Sequence, residues 1–169
     1  RLVGHRREDY FSTMGFMAPT IAKAETVSRE ELLEFVSPRH HHTLITRKRD
    51  DGLQVSPVSA GVDSEGRIVI ATYPERAKVH NIRRNSAVTV LVHSDDWNGD
   101  YVQVDGTAEI IDLPDAVEPL VEYFRSIAGE HSDWHEYRAA MVKQGKSLIR
   151  ITIDTWGPIA AGGFPPGRV

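Results

Sequence analysis

The sequence predicts a mainly β (α+β) fold, in which six antiparallel strands curl into a closed or partly closed barrel with helices at its periphery. Six short runs are rich in β-branched residues, and most of them are separated by turn signals. One helical segment is expected between the third and fourth runs, and two between the fifth and sixth. The strand–helix alternation of a dinucleotide-binding fold is missing, as is its GxGxxG signature.

Composition restricts the possible functions. The chain of 169 residues suffices for one domain with a substantial core. A net charge of −4 disfavours general nucleic-acid binding, whereas basic clusters at 47–49 and 76–84 suit a small anionic ligand. The absence of cysteine excludes disulfides and thiol chemistry. Since no apolar run reaches membrane-spanning length and no signal peptide is recognisable, a cytoplasmic location is expected.

Two regions are expected: an N-terminal arm with a short helix over residues 1–37, and the barrel domain over residues 38–169. The arm shows only weak periodicity. Ser28 and Glu31 have the spacing of a capping box, which predicts a helix that runs to about Val36.

Turn and breaker residues set the expected strand boundaries. Asp51 and Gly52 give a hairpin signal between the first two strands. Pro57 cannot donate to a ladder, so an edge or a bulge is expected there, and Gly106 predicts a bulge or a close backbone approach. The six strands are expected at 43–46, 53–59 with a continuation to 63, 67–71, 87–92, 101–111 and 147–154.

Two further helices are expected before the last strand. The first runs from Pro114 to Ala128 and is stopped by Gly129, and the second begins with a capping box at Asp133 and ends near Gln144. The Pro- and Gly-rich tail after the last strand is expected to be irregular.

The segment between the third and fourth strands carries the candidate binding site. Thr72 and Glu75 have capping-box spacing and Pro74 suits a first turn, so a helix is expected to begin there. Arg76 and Lys78 would then lie near the helix start, where unpaired N–H groups favour an anion. The residues alone leave two alternatives open, a phosphate site and a merely solvated basic turn.

Other chemistry has weaker support. His40–His42 are three consecutive histidines, but neighbours on a strand point to opposite faces, so a polar start of a strand is favoured over a metal site. His131 and His135 lack a third ligand and are interpreted as capping or surface residues. No Ser, His or Asp lies in the motif context of a nucleophile and its base, so a hydrolase is disfavoured.

The order of motifs resembles a known family. A hairpin at 51–58 and a strand are followed by Arg76-Ala77-Lys78, by 81–84 and by a second strand at 87–92. This order is similar to that of the split β-barrel flavin/deazaflavin oxidoreductases, relatives of pyridoxamine 5′-phosphate oxidase. The run IAGEHSDWHEYRAAM at 127–141 and the ending FPPGR at 164–168 are similar to actinobacterial members that use coenzyme F420. The resemblance covers residues 38–169.

The resemblance implies a six-stranded split barrel of the FMN-binding type and a homodimer with two cofactor sites at its interface. It implies hydride transfer from reduced deazaflavin to a planar conjugated organic substrate, with the chemistry borne by the cofactor and no catalytic side chain. The ending FPPGRV lacks the Arg-rich motif that holds the vitamin's phosphate, which argues against vitamin B6 chemistry.

The resemblance also implies the site residues. Arg76 and Lys78 would contact the phosphate, and a strand of four residues would run beside the ring system. Trp97 and Tyr101 would come from the partner subunit. The remaining expected contacts are Thr72, Ala77 and Asn81 near the phosphate, and Gln54, Ser56, Pro57 and Val58 beside the ring.

Two alternatives remain open at this stage. One is the same fold with FMN as a tightly held cofactor, acting as an oxidase or reductase. The other is a non-catalytic cofactor-binding or haem-binding protein. The sequence does not identify the substrate, because loops vary the small pockets on such a fold.

Overall fold

The computed structural model describes residues 21–96, 99–165 and 167, and this part of the chain forms nine strands and four helices. In chain order they are β1 Lys23–Glu25, α1 Arg29–Val36, β2 His41–Arg47, β3 Leu53–Ser59, β4 Gly61–Val62, β5 Ile68–Thr72, α2 Ala77–Arg84, β6 Ala87–His93, β7 Tyr101–Ile111, α3 Val117–Ala128, α4 Trp134–Lys143, β8 Ser147–Trp156 and β9 Ile159–Ala161. No helix in these ranges is long and apolar enough to cross a membrane.

The sheet is antiparallel throughout its named strands, in the order β3-β2-β6-β7-β8-β5-β4. Its two edge strands, β3 and β4, are consecutive in the chain and are separated only by Ala60. One short segment therefore forms both edges, and the sheet must curl back on itself to let it do so. The predicted antiparallel barrel with peripheral helices is confirmed, and Pro57 lies on an edge strand as expected.

The prediction of six strands is too low. β4 is a strand of its own that pairs with β5, rather than the end of β3. The tail was expected to be irregular, yet β9 pairs with β1, with Lys23 opposite Ala161. The three residues of β9 contain neither Gly nor Pro, so they can join a ladder that only the fold brings within reach. The predicted N-terminal arm lies outside the described residues as far as residue 20.

Helix boundaries follow the capping signals where the cap is free to form. In α1, the Ser28 hydroxyl accepts from the Glu31 N–H at 3.3 Å and the Glu31 carboxylate accepts from the Ser28 N–H at 2.8 Å, which confirms the capping box. Asp133 caps α4 as predicted, although His131 Nδ1, rather than Glu136, accepts its N–H. The first residues of the predicted third helix, 114–116, form turns instead, and α3 begins at Val117 without a side-chain capping bond.

The predicted capping box at Thr72 is wrong. Thr72 is the last residue of β5, where it is buried and paired with Ser147 of β8. Because the ladder holds Thr72 in extended backbone, α2 begins only at Ala77, with Arg76 as its N-cap and no side-chain capping bond. Arg76 and Lys78 still lie at the helix start, as expected.

Close packing inside the barrel explains Gly106. The register between β7 and β8 shifts at Asp105 and Gly106, and a Cβ at Gly106 would lie 2.4 Å from the Thr152 carbonyl oxygen. The predicted bulge and close approach are both confirmed. A second apolar cluster lies where α3 and α4 pack over β5 and β8, and it includes Leu120 and Leu148. This helical pair forms one wall of the site described next.

Candidate functional site

A cleft of about 520 Å³ opens where the barrel meets α2, α3 and α4. Five residues predicted from the sequence line it: Pro57, Val58, Thr72, Arg76 and Lys78. The remaining lining residues are Ser59, Ile70, Ala71, Tyr73, Tyr123, Phe124, Tyr137, Met141, Gln144 and Lys146. The fold therefore brings the edge strand and the basic helix start together at one opening.

The cleft is strongly basic. Arg76, Lys78 and Lys146 line it, and no carboxylate is among its described lining residues. Burial, and then the nearby charge of Arg76, lower the pKa of Lys78. None of the three cations has an ion pair within the described ranges. An anionic ligand would therefore relieve the repulsion between Arg76 and Lys78. Sequence reasoning missed Lys146, which lies far from the basic motif along the chain.

The start of α2 adds main-chain donors to these charges. Arg76 has extended backbone, and its N–H donates to the Tyr73 carbonyl at 3.2 Å. The N–H groups of Ala77 and Lys78, in the first turn, have no acceptor within the helix, and no side chain caps them. Ala77 itself is an exposed residue. Free amides at the positive end of a helix, next to two cations, form an anion-binding arrangement.

Aromatic side chains stabilise the opposite wall. The Tyr123 hydroxyl donates to the Ser59 carbonyl at 3.2 Å, and the Tyr137 hydroxyl donates to the Leu120 carbonyl at 3.1 Å. Burial raises the pKa of both tyrosines, that of Tyr137 to about 12, so both are neutral at physiological pH. The ring of Phe124 packs against Tyr137 with centroids 5.0 Å apart. These contacts hold the aromatic side chains in an apolar wall. From the sequence alone, their helical spacing identified them only as core residues.

The free edge of β3 borders the cleft. The Ala60 N–H donates to the His40 carbonyl, and the Lys48 N–H donates to the Gly52 carbonyl, so even-numbered residues of this hairpin bond across to β2. The odd-numbered residues then direct their backbone groups away from β2. Val55 offers an N–H and a carbonyl there, whereas Pro57 offers only a carbonyl. The Ser56 hydroxyl is buried and has no hydrogen-bond partner among the described residues.

Four contacts predicted near the phosphate or the ring are not among the residues that line the cleft: Gln54, Ser56, Ala77 and Asn81. Asn81 is buried and donates to the Thr46 hydroxyl at 3.0 Å, and Thr46 donates to the Gln54 side-chain carbonyl at 3.0 Å. Asn81 of α2 and Gln54 of β3 are therefore joined through Thr46 by a chain of hydrogen bonds.

Tyr101 lies apart from the cleft within one chain. It lines a different depression of about 400 Å³ with His41, His93 and Asp100. Trp97 lies outside the described residues. The structure therefore keeps Tyr101 away from the basic cleft of its own chain.

The three consecutive histidines belong to β2 and the residue before it. His42 is buried, its Nε2 donates to the Arg39 carbonyl at 3.0 Å, and burial lowers its pKa to about 4. Its ring is therefore neutral at physiological pH. Within the described ranges, no three His, Asp or Glu side chains are grouped so as to hold a metal ion.

Comparison with known families decides the classification. The sequence profile of the pyridoxamine 5′-phosphate oxidase family matches residues 28–160, well over half of the chain. The chain belongs to this family. Its members are generally oxidoreductases that bind flavin or deazaflavin cofactors, and the antiparallel barrel described above is their split-barrel fold.

Solved structures support the same fold for this family member. A conserved hypothetical protein from Mycobacterium tuberculosis has a TM-score of 0.68 at 22% identity, over 83% of this chain and 89% of that chain. A structure described as an F420 reductase has a TM-score of 0.55 at 22% identity, over 73% and 94%. An FAD-binding protein from Mesorhizobium loti has a TM-score of 0.57 at 19% identity, over 84% and 98%. At these identities the likeness establishes the fold alone.

Proposed function

We propose that the protein binds the deazaflavin coenzyme F420 and transfers a hydride from its reduced form to a planar conjugated organic substrate. The observation that carries the proposal is the half-buried Lys78 beside Arg76, in a cleft whose described lining contains no carboxylate. F420 is strongly anionic, with a phosphodiester and a poly-glutamate tail. A local cluster of cations on a chain of net charge −4 suits such a ligand. One similar structure is described as an F420 reductase, which supports the choice of cofactor.

The phosphate would lie at the start of α2. Arg76 and Lys78 would supply charge-assisted hydrogen bonds, and the N–H groups of Ala77 and Lys78 would add main-chain donors. Thr72, at the end of β5, is buried beside this position and fixes the chain that leads into the helix. Lys146 approaches from the far side, where its ammonium lies 3.9 Å from the centre of the Tyr73 ring.

The ring system would lie along the free edge of β3. The backbone of Val55 and Pro57 would offer hydrogen-bonding groups along its edge, and Val58 would contact its face. Tyr123 and Phe124 line the same cleft, and their apolar surfaces would limit the access of water. The bound cofactor supplies the hydride chemistry, and the residues of this chain orient it.

We propose that the protein acts as a homodimer. Leu53 and Val55 on the outward face of β3 are each 58% exposed, and Tyr101 is 42% exposed. A second copy would cover this face and would bring its Tyr101 and Trp97 towards the cleft. FMN is the second candidate cofactor, because the same cations would hold its phosphate and one similar structure is FAD-binding.

The test is an absorbance scan of the purified protein followed by fluorescence titrations with F420 and with FMN. A colourless preparation that binds F420 with a Kd in the micromolar range supports the proposal. A yellow preparation with a flavin spectrum favours FMN instead. Failure to bind F420 below about 1 mM would refute the assignment, since such weak binding is worth only about 4 kcal/mol.

A further inference from the structure

Four polar side chains form a directed hydrogen-bond chain from α2 to β3. Arg84 Nη2 donates to Asn81 Oδ1 at 2.7 Å, Asn81 Nδ2 donates to Thr46 Oγ at 3.0 Å, and Thr46 Oγ donates to Gln54 Oε1 at 3.0 Å. The two middle members, Asn81 and Thr46, are only 5% and 2% exposed. The middle of the chain is therefore sealed from water, and its two ends reach the surface.

Chemistry fixes the direction of this chain. A guanidinium can only donate, so Asn81 must present its oxygen to Arg84 and its nitrogen to Thr46. Thr46 accepts from Asn81, and the single proton of its hydroxyl has no acceptor other than Gln54 among the described residues. An unpaired buried hydroxyl would be costly, so Gln54 must present its carbonyl to Thr46. Its amide nitrogen is left facing outward.

The side chain that carries this amide lies outside the described lining of the cleft, on the strand that borders it. Gln54 shares a face of β3 with Ser56 and Val58, and Val58 lines the basic cleft. Gln54 Nε2 has no partner in the parts of the chain that the structure describes. The side chains of Val58, Ser56 and Gln54 therefore form a row along β3 that begins at the cleft. At the end of this row, the two N–H groups of Gln54 Nε2 are held in place without an acceptor among the described residues.

We propose that Gln54 Nε2 donates a hydrogen bond to an acceptor atom of the bound ring system, a carbonyl oxygen or an unprotonated ring nitrogen. Asn81 and Thr46 are positioning residues that act through Gln54. This inference rests on the proposed function, and it changes the role expected for Asn81 from a contact near the phosphate to a residue that sets the polarity of Gln54.

Asn81→Asp is the most direct test, because it reverses the chain. A carboxylate at this position still pairs with Arg84, but both of its oxygens accept, so the Thr46 hydroxyl would donate to it. Thr46 would then accept from Gln54 Nε2, and the Gln54 carbonyl would face the ligand. With an acceptor facing an acceptor, the affinity for F420 should fall at least about tenfold. Gln54→Ala removes one neutral hydrogen bond and should weaken binding by about threefold to tenfold.

A double-mutant cycle separates positioning from direct contact. In the Gln54→Ala background, the uncharged substitution Thr46→Val should cause no further loss of affinity, because the residue through which it acts is gone. Losses that multiply would overturn the inference. Thr46→Ser should retain wild-type affinity, whereas Thr46→Val should weaken binding about as much as Gln54→Ala. The absorption maximum of bound F420 should shift in Gln54→Ala and Asn81→Asp but not in Thr46→Ser, a signature that stability alone would not produce.

A second measurement needs no ligand. In NMR spectra of the free protein, the side-chain amide protons of Asn81 should exchange slowly with water and those of Gln54 rapidly. Slow exchange of the Gln54 amide protons in the free protein would overturn the inference. If the wild-type protein binds F420 but the losses of affinity in the two variants multiply, the role of Gln54 is refuted and the proposed function stands. Wild-type protein that binds neither F420 nor FMN would refute the proposed function, and this inference with it.

Discussion

Lys78 should have opposite effects on ligand binding and on the stability of the free protein. In the free protein it is half-buried beside Arg76, and burial and then that neighbouring charge lower its pKa. The substitution Lys78→Met keeps the aliphatic stem and removes the ammonium. It should therefore relieve repulsion in the free protein while it removes a donor to the phosphate.

The size of the binding effect follows from the type of bond. A hydrogen bond to a charged group contributes about 1.5–3 kcal/mol, so the Kd for F420 should rise by about tenfold to 150-fold. Met and Lys have similar helix propensities, so the melting temperature of the free variant should equal or slightly exceed that of the wild type. Because salt screens the attraction between Lys78 and the anionic ligand, the variant that lacks this charge should bind F420 with an affinity that depends less on salt.

The assay is a fluorescence titration with F420 at low and high salt, together with thermal unfolding of the free proteins. Lys143→Met is the matched control, because Lys143 is an exposed lysine on α4 that does not line the cleft. It should bind F420 as the wild type does. The reasoning fails if Lys78→Met retains wild-type affinity, if Lys143→Met weakens binding equally, or if Lys78→Met is markedly less stable.

Three further predictions follow from other parts of the molecule. Gly106→Ala should lower the free energy of unfolding by about 1–3 kcal/mol in a denaturant titration, because the added Cβ would meet a backbone carbonyl at 2.4 Å. Gly162→Ala, with nothing within 4 Å, is its neutral control. Burial lowers the pKa of His42 to about 4, so between about pH 6.5 and 4 its ring is protonated in the unfolded chain but neutral in the folded protein. The free energy of unfolding should therefore fall as the pH drops from about 6.5 towards 4. His42→Gln should flatten that part of the pH profile of chemical unfolding. Val55→Lys should convert the proposed dimer to a monomer in light scattering, whereas Val142→Lys, a similarly exposed position on α4, should not.

Each of these has a clear contrary result. Equal stability of the two glycine variants would mean that the bulge relaxes freely. An unchanged acid limb in His42→Gln would assign the pH dependence to other groups. If the Val55→Lys variant is still a dimer, the interface does not include the outward face of β3. If the wild-type protein is a monomer, the proposed dimer is refuted.

The sequence alone determined the features that depend on a few neighbouring residues. The capping residues Ser28 and Asp133 and the stop at Gly129 satisfy helix ends within one turn of chain, so spacing is enough to predict them. Arg76 and Lys78 also lie at a helix start as predicted, although the Thr72 cap from which this was inferred does not form. The order of strands, turns and helices predicted an antiparallel barrel, and the resemblance to the family then identified it as a split barrel.

Only the tertiary structure decided which distant residues meet. Thr72 has the spacing of a cap, but its pairing with Ser147 keeps it in a strand, because a ladder bond formed across the sheet overrides a local signal. Lys146 and the aromatic wall reach the cleft because α3 and α4 fold back over the barrel. The link from Asn81 through Thr46 to Gln54 joins residues up to 35 positions apart. Local hydrogen bonds can be predicted from spacing, whereas contacts between distant segments exist only once the sheet has closed and fixed its register.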